Sequence, residues 1–261
     1  MRIWDSHTDK QIRVFEGHSA ALSSVAFSPD GKKIVSGGWD HSLRIWNVAN
    51  GRKVKTLLGH EDQVTSVSFS PDGKWIVSGS ADDTLKVWNI SDGDCLLTLS
   101  HDDEYDVTSV AFSPDGKRIV SAGGEKQLKL WDSETGEEIK TVQAHDDAVS
   151  SVCFSADGKL LVSGGWDAVV KVWDADLGDP ILKLDGHSNE INMVAISADS
   201  RRAASVSEDK TLIVWNLPTG KKLLTLDRQK EAVTSIAFSP DGNRLVGGTK
   251  GEVKIWQLKN P

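Results

Sequence analysis

The sequence predicts an all-β protein made of repeated four-stranded antiparallel sheets. Three observations predict it. Tryptophans recur at Trp4, Trp46, Trp88, Trp131, Trp173, Trp215 and Trp256, spaced 42, 42, 43, 42, 42 and 41 residues apart. A turn signal recurs in step: SPDG at 28–31, 70–73, 113–116 and 239–242, SADG at 155–158 and SADS at 197–200. Between these marks lie short runs rich in Val, Ile and Phe. A fixed period of this length is the mark of a repeat architecture.

The first repeat shows how each element arises. It reads ALSSVAF, then SPDG, then KKIVSGG, then WDHS, then LRIWNV. Pro fixes φ, Asp bonds the local backbone and Gly accepts positive φ, so SPDG closes a tight turn. Apolar runs of four to seven residues punctuated this way read as antiparallel strands. A fourth run precedes a histidine in five of the repeats and Arg228 in the sixth: QIRVF at 11–15, KVKTLL at 53–58, CLLTL at 95–99, EIKTV at 138–142, ILKL at 181–184 and KLLTL at 222–226. Four strands per period make one propeller blade. One such sheet alone would leave both faces wet, and blades packed side by side bury them.

The composition supports one domain over residues 1–261, with 38% hydrophobic residues to fill its core. Its repeats end near Trp46, Trp88, Trp131, Trp173, Trp215 and Trp256, and a partial repeat covers 1–15. No apolar run of about 18 residues marks a membrane span, and no signal peptide is evident. The formal charge of −8 argues against nucleic acid, whose binding needs phosphate neutralisation. Cys95 and Cys153 form no metal or redox motif, and a reduced, cytoplasmic setting is expected.

These repeats resemble the WD40 family. Gly-His stands at Gly17–His18, Gly59–His60 and Gly186–His187, and Trp-Asp at Trp4–Asp5, Trp131–Asp132 and Trp173–Asp174. The resemblance covers essentially the whole chain and is similar to the regular arrays found within larger regulatory proteins. It implies a non-catalytic scaffold with no cofactor or metal, binding a protein or peptide. The alternatives are a sensor module of a larger signalling protein and an enzyme with a site in the central channel.

A Ser-His-Asp set in one repeat would suggest acyl transfer. Here the set recurs, which an active site does not need. The resemblance implies a structural relay instead, from Asp to His to Ser to the Trp indole. Its members are His18, Ser36, Asp40 and Trp46; His60, Ser78, Asp82 and Trp88; His145, Ser163, Asp167 and Trp173; and His187, Ser205, Asp209 and Trp215. The third repeat offers His101, Ser121, Glu125 and Trp131. The sixth has Arg228 for His, Gly247 near the Ser position and Lys250 or Gly251 near the Asp position, so its relay is expected to be absent and its blade the least stable.

Ring closure has two readings. In a six-bladed ring, residues 11–15 pair with 253–256, as the family's usual closure implies. That leaves RIWD at 2–5 unused. In the alternative, the ring has seven blades and is open, is a fragment of a longer array, or is completed by another chain. A start in mid-blade suggests an excised piece.

Three tryptophans fall outside the series. Trp75 opens a strand and reads as a partly covered residue. Trp39 and Trp166 each precede a relay Asp, where the resemblance implies a contact point on the top face of the propeller, facing each other across a six-fold channel. The same face takes the residues flanking the start of each inner strand: Ala21 and Ser23, Gln63 and Thr65, Asp106 and Thr108, Ala148 and Ser150, Glu190 and Asn192, Ala232 and Thr234. An acidic run at 102–104 leads into Tyr105. Trp39, Trp166, Tyr105, Asp106, Glu190 and Glu208 thus describe an acidic, aromatic surface suited to a partner bearing Arg or Lys.

Overall fold

A computed structural model of the chain describes every residue except 7, 9, 102–104, 228 and 259–261. The described residues form strands and turns, with no helix. They divide into two compact units, Met1–Phe112 and Ser113–Pro261. The boundary falls inside the third repeat, after its first strand.

The N-terminal unit holds eleven strands: β1 (Arg2–Trp4), β2 (Gln11–Val14), β3 (Leu22–Phe27), β4 (Lys33–Gly38), β5 (Ser42–Asn47), β6 (Lys53–Leu58), β7 (Val64–Phe69), β8 (Trp75–Ser80), β9 (Thr84–Asn89), β10 (Cys95–Ser100) and β11 (Val107–Phe112). Here β3 to β6 make one four-stranded antiparallel sheet and β7 to β10 another. The C-terminal unit holds fourteen: β12 (Arg118–Gly123), β13 (Gln127–Asp132), β14 (Glu138–Gln143), β15 (Val149–Phe154), β16 (Leu160–Gly165), β17 (Val169–Asp174), β18 (Leu182–Asp185), β19 (Ile191–Ile196), β20 (Arg202–Ser207), β21 (Leu212–Asn216), β22 (Lys222–Leu226), β23 (Ser235–Phe238), β24 (Arg244–Gly248) and β25 (Val253–Gln257). In it β15 to β18 and β19 to β22 make four-stranded sheets, and β23 to β25 a three-stranded one. The six repeats are six antiparallel blades, and β1-β2 is an additional two-stranded sheet.

That extra sheet corrects the expected closure. The strand at 11–15 pairs with β1, Arg2 opposite Val14 and Ile3 opposite Arg13, instead of with 253–256. Only six residues separate β1 from β2, so their pairing closes a short loop at small entropic cost. Phe15 then anchors the sheet, buried edge-on against Trp46 with ring centroids 5.7 Å apart.

Each SPDG turn is tied by its own side chains. Ser28 Oγ donates to Asp30 Oδ1 at 2.6 Å, the Lys33 amide returns to Ser28 Oγ at 2.9 Å, and Gly31 takes φ 67°. The same bonds recur at Ser70, Ser113, Ser155, Ser197 and Ser239.

Blades pack through their second strands. These are the most buried, running from a half-buried first residue into five buried ones in β4, β8, β12, β16 and β20. In β4, β8 and β16 the Gly that follows the relay Ser allows the next blade to approach. In the N-terminal unit Val35, Leu43, Ile45 and Leu57 of one blade share a core with Val64, Val67, Phe69, Ile76 and Trp88 of the next. In the C-terminal unit Val162, Val170, Val172 and Leu184 meet Ile191, Val194, Ile213 and Trp215 in the same way.

Candidate interaction site

The relay residues come together in four repeats. The indole Nε1–H of Trp46 donates to Ser36 Oγ at 2.8 Å, Ser36 Oγ lies 2.8 Å from His18 Nε2, and His18 Nδ1 lies 2.8 Å from Asp40 Oδ1. Trp88, Ser78, His60 and Asp82 repeat this at 2.8, 2.7 and 2.8 Å. Trp173, Ser163, His145 and Asp167 do so at 2.9, 2.7 and 3.0 Å, and Trp215, Ser205, His187 and Asp209 at 2.9, 2.7 and 3.0 Å. In the third repeat Trp131 donates to Ser121 Oγ at 2.8 Å.

An indole can only donate, so each Ser oxygen accepts from Trp. A neutral imidazole with its proton on Nδ1 completes the chain, Ser donating to His Nε2 and His Nδ1 donating to Asp. Burial favours this neutral form: it lowers the imidazoles of His18 and His187 against the opposing pull of Asp40 and Asp209. For the carboxyls burial acts upward, but hydrogen bonds outweigh it. Ser42, the Ser19 amide and His18 hold Asp40 well below the carboxylate range; His60, Thr84 and the Glu61 amide do so for Asp82. Asp167 is held at about 2, with burial opposed by His145 and the Asp146 amide, and Asp209 is lowered through Thr211 and the Ser188 amide.

Such a serine is no nucleophile. Ser36, Ser78, Ser163 and Ser205 are each 0% exposed, and each oxygen is occupied by an indole. The relay cross-links a blade's second and third strands to the loop that follows the preceding outer strand. In the sixth repeat Gly247 pairs with Ile236 and Lys254 as Ser36 pairs with Val25 and Arg44. It stands in the serine place and has no hydroxyl to offer Trp256. Arg228, in the histidine place, lies outside the described residues.

The residue before each relay Asp is fixed by one recurring amide bond. The Trp39 N–H donates to Ala21 C=O at 2.8 Å, Ala81 to Gln63 at 2.9 Å, Trp166 to Ala148 at 2.8 Å and Glu208 to Glu190 at 3.0 Å. Each blade thereby joins the turn position to the residue just ahead of its inner strand. In the N-terminal unit Trp39 and Tyr105 are each 53% exposed, and Asp106 is exposed beside Tyr105. In the C-terminal unit Trp166 is 48% exposed, Glu208 is exposed and Glu190 half-buried. The acidic run at 102–104 lies outside the described residues.

Several residues grouped with that surface bind the fold itself. Ser23 Oγ donates to Val64 C=O of the next blade and Thr65 Oγ1 to Val107 C=O. Asn192 Nδ2 donates to Val233 C=O at 3.1 Å and to Glu208 Oε1 at 2.9 Å. A β-bulge makes this possible: register shifts between Leu22 and Ser24, Val64 and Ser66, and Ile191 and Met193 turn the inserted residue toward the neighbouring blade. Ser24 and Ser66 then accept from the Val67 and Val110 amides at 3.2 and 3.1 Å. A polar residue recurring every 42 positions inside an apolar strand was the available signal.

Trp75 is half-buried and lines a groove of about 410 Å³ with Lys33, Lys74, Asn89 and Ile90. Among the described residues no group of three or more His, Cys, Asp or Glu is placed to hold a metal ion. No helix there is long and apolar enough to cross a membrane.

Comparison with family models matches six stretches to "WD domain, G-beta repeat": residues 9–47, 51–89, 93–132, 136–174, 178–216 and 220–257. The chain belongs to the WD40 family. Comparison with curated proteins gave no match. Each WD40 repeat is offset from the sheets. The first, 9–47, runs from β2 through β5, and the last, 220–257, from β22 through β25, so β1 alone precedes the series. The relay spans this offset, because its His follows an outer strand and its Ser and Trp lie in the next sheet. WD40 propellers generally act as scaffolds that bind proteins or peptides, and are typically not catalysts.

Proposed function

We propose that this WD40 chain is a non-catalytic scaffold whose Trp39 and Trp166 turns hold partner peptides bearing Arg or Lys. The observation that carries the reading is the exposure of both indoles, about half of each in solvent, on turns whose backbones are fixed by hydrogen bonds. Large aromatics on a rigid backbone supply contact area at little entropic cost and dominate many interfaces. Asp106, exposed beside Tyr105 in the N-terminal unit, and Glu190 and Glu208 in the C-terminal unit favour a cationic partner by charge pairing, and the rings add cation–π attraction. We also infer an intracellular, cytoplasmic setting, which the free thiols of Cys95 and Cys153 support.

The test is a peptide array in which Arg, Lys, Glu or Ser occupies a fixed central position. It is probed with the native chain and with the Trp39→Ala/Trp166→Ala variant, after both are shown to melt alike. Retention of native chain on Arg and Lys spots, lost in the variant, is the expected result. Equal retention of both proteins, or preference for Glu spots, overturns the reading.

A further inference from the structure

In the C-terminal unit the chain's own arginines fill two seams between consecutive repeats. Arg118, second after the turn glycine, donates to Ala175 C=O and to Asp176 Oδ1 of the next repeat, each at 2.8 Å, and lies over the Phe154 ring at 5.9 Å. Arg202, in the same place two repeats later, lies over the Phe238 ring at 5.7 Å. In the N-terminal unit the seam between the first two repeats differs. By position Lys33 stands for Arg118, Ile90 for Ala175 and Ser91 for Asp176. A lysine has no planar fork to bridge such a seam, and Ser91 has no charge to pair with it. What remains is the groove of about 410 Å³ whose lining includes Lys33, Lys74, Trp75, Asn89, Ile90 and Ser91.

Three donors there have no acceptor among the described residues: the Lys33 ammonium, the Trp75 indole N–H and the Asn89 side-chain amide. Asn89 Oδ1 is already taken by the Ser91 amide and hydroxyl at 2.9 and 2.8 Å, and Ser91 C=O by Lys55 Nζ at 2.9 Å. The carboxylates on the flanking turns are engaged elsewhere. Asp30 and Asp72 accept from Ser28 and Ser70 Oγ and pair with Lys32 and Lys74, and the field of Asp30 reaches Lys33 without a contact. Asp92 accepts from the Asp94 amide. No carboxylate lines the groove itself.

We propose that this groove binds an acidic side chain, Asp or Glu, of a partner peptide. Its carboxylate meets Lys33 and the Trp75 and Asn89 N–H donors, and an apolar neighbour in the peptide packs on Ile90 and the Trp75 ring. A cation and unanswered donors in a cleft with no acid of its own select an anionic acceptor, and charge-assisted bonds are the strong ones. The chain itself shows that a peptide carboxylate fits such a seam, since Asp176 brings one to Arg118. WD40 propellers generally bind proteins or peptides, which makes a polypeptide the source of the carboxylate. This site is separate from the Trp39 and Trp166 turns and takes the opposite charge, so either reading can fail without the other.

The probe is the capped peptide acetyl-Ala-Val-Glu-Val-Ala-amide, titrated into the full ¹⁵N-labelled chain while the indole N–H signals are followed by NMR. The Trp75 signal is identified by its loss in Trp75→Phe. The expected result is a saturable shift of that signal, with the relay indoles unmoved. The same peptide with Gln for Glu binds about tenfold or more weakly, because only the charged acceptor answers Lys33. Ser91→Asp supplies from within the carboxylate that Asp176 gives Arg118, and Lys33→Ala removes the cation; each abolishes the shift. Unmoved relay indoles in both variants show that the blades remain folded. Four results overturn the proposal: no Trp75 shift; equal affinity for the Glu and Gln peptides; a shift that survives Ser91→Asp or Lys33→Ala; or free glutarate binding as tightly as the peptide. In the last case the occupant is a small carboxylate and not a polypeptide.

Discussion

Gly37 lies so close to Val64 that a methyl group on its Cα would come within 2.5 Å of Val64 Cγ1. Gly79 meets Val107 in the same way at 2.7 Å, and Gly164 meets Ile191 at 2.5 Å. In β4, β8 and β16 the glycine after the relay serine is where one blade seats the next.

Gly37→Ala is therefore an overpacking mutation, and a loss of roughly 1–3 kcal/mol is expected. Gly31→Asn, at φ 67° with nothing within 4 Å of an added Cβ, should stay within about 0.5 kcal/mol, since Asn tolerates that backbone. Urea midpoints of the two variants check this. Similar midpoints would mean that the blades relax freely at Gly37.

Removing one relay hydroxyl should cost more than its own bond. Ser36→Ala leaves the Trp46 N–H and His18 Nε2 without partners in a buried site, at roughly 1–3 kcal/mol. The reverse change in the sixth blade, Gly247→Ser, should not stabilise. A Cβ there meets Val233 Cγ1 at 2.8 Å and the Trp256 ring at 2.9 Å. A stabilised Gly247→Ser would show that the glycine is merely a lost serine.

Acid should weaken the fold in two stages. The imidazoles of His18 and His187 are lowered in the folded chain, so unfolding takes up protons once the pH drops below about 6.5, and stability declines from there. The relay carboxyls are lowered too; their contribution is complete above about 4 and is lost as pH falls through their folded values. Both effects have the same sign. Urea midpoints at pH 8, 6, 5 and 4 should be level at the top and fall in sequence. A midpoint unchanged between pH 8 and 5 would refute the neutral-imidazole relay.

Amide exchange should rank the strands by their covering. In the C-terminal unit β25 alternates exposed and half-buried residues in a three-stranded sheet, whereas β17 and β21 are largely buried between partners. In the N-terminal unit β1 has a single partner strand and β5 has two. Faster exchange in β25 than in β21, and in β1 than in β5, is expected. Uniform protection would mean that the sixth blade is as stable as the others.

Much of this protein was legible in its sequence. The 42-residue period located every blade, because a turn such as 28–31 and a strand such as 43–48 are decided by φ restriction, local hydrogen bonds and alternation over a few residues. The relay positions were legible for the same reason: in four repeats His, Ser, Asp and Trp recur in step, side-chain types that can pass a proton-bearing hydrogen bond. Three things needed the tertiary structure. The partner of residues 11–15 was one, because two strands of suitable pattern, 2–4 and 253–256, competed and the short loop to the nearer one prevailed. The role of Ser23, Thr65 and Asn192 was another, because a bulge points them at the next blade and no local pattern reveals the direction. The last was the exposure of Val25 and Phe27. Their sequence is that of their buried counterparts Val67 and Phe69, and burial depends on whether another strand lies across them.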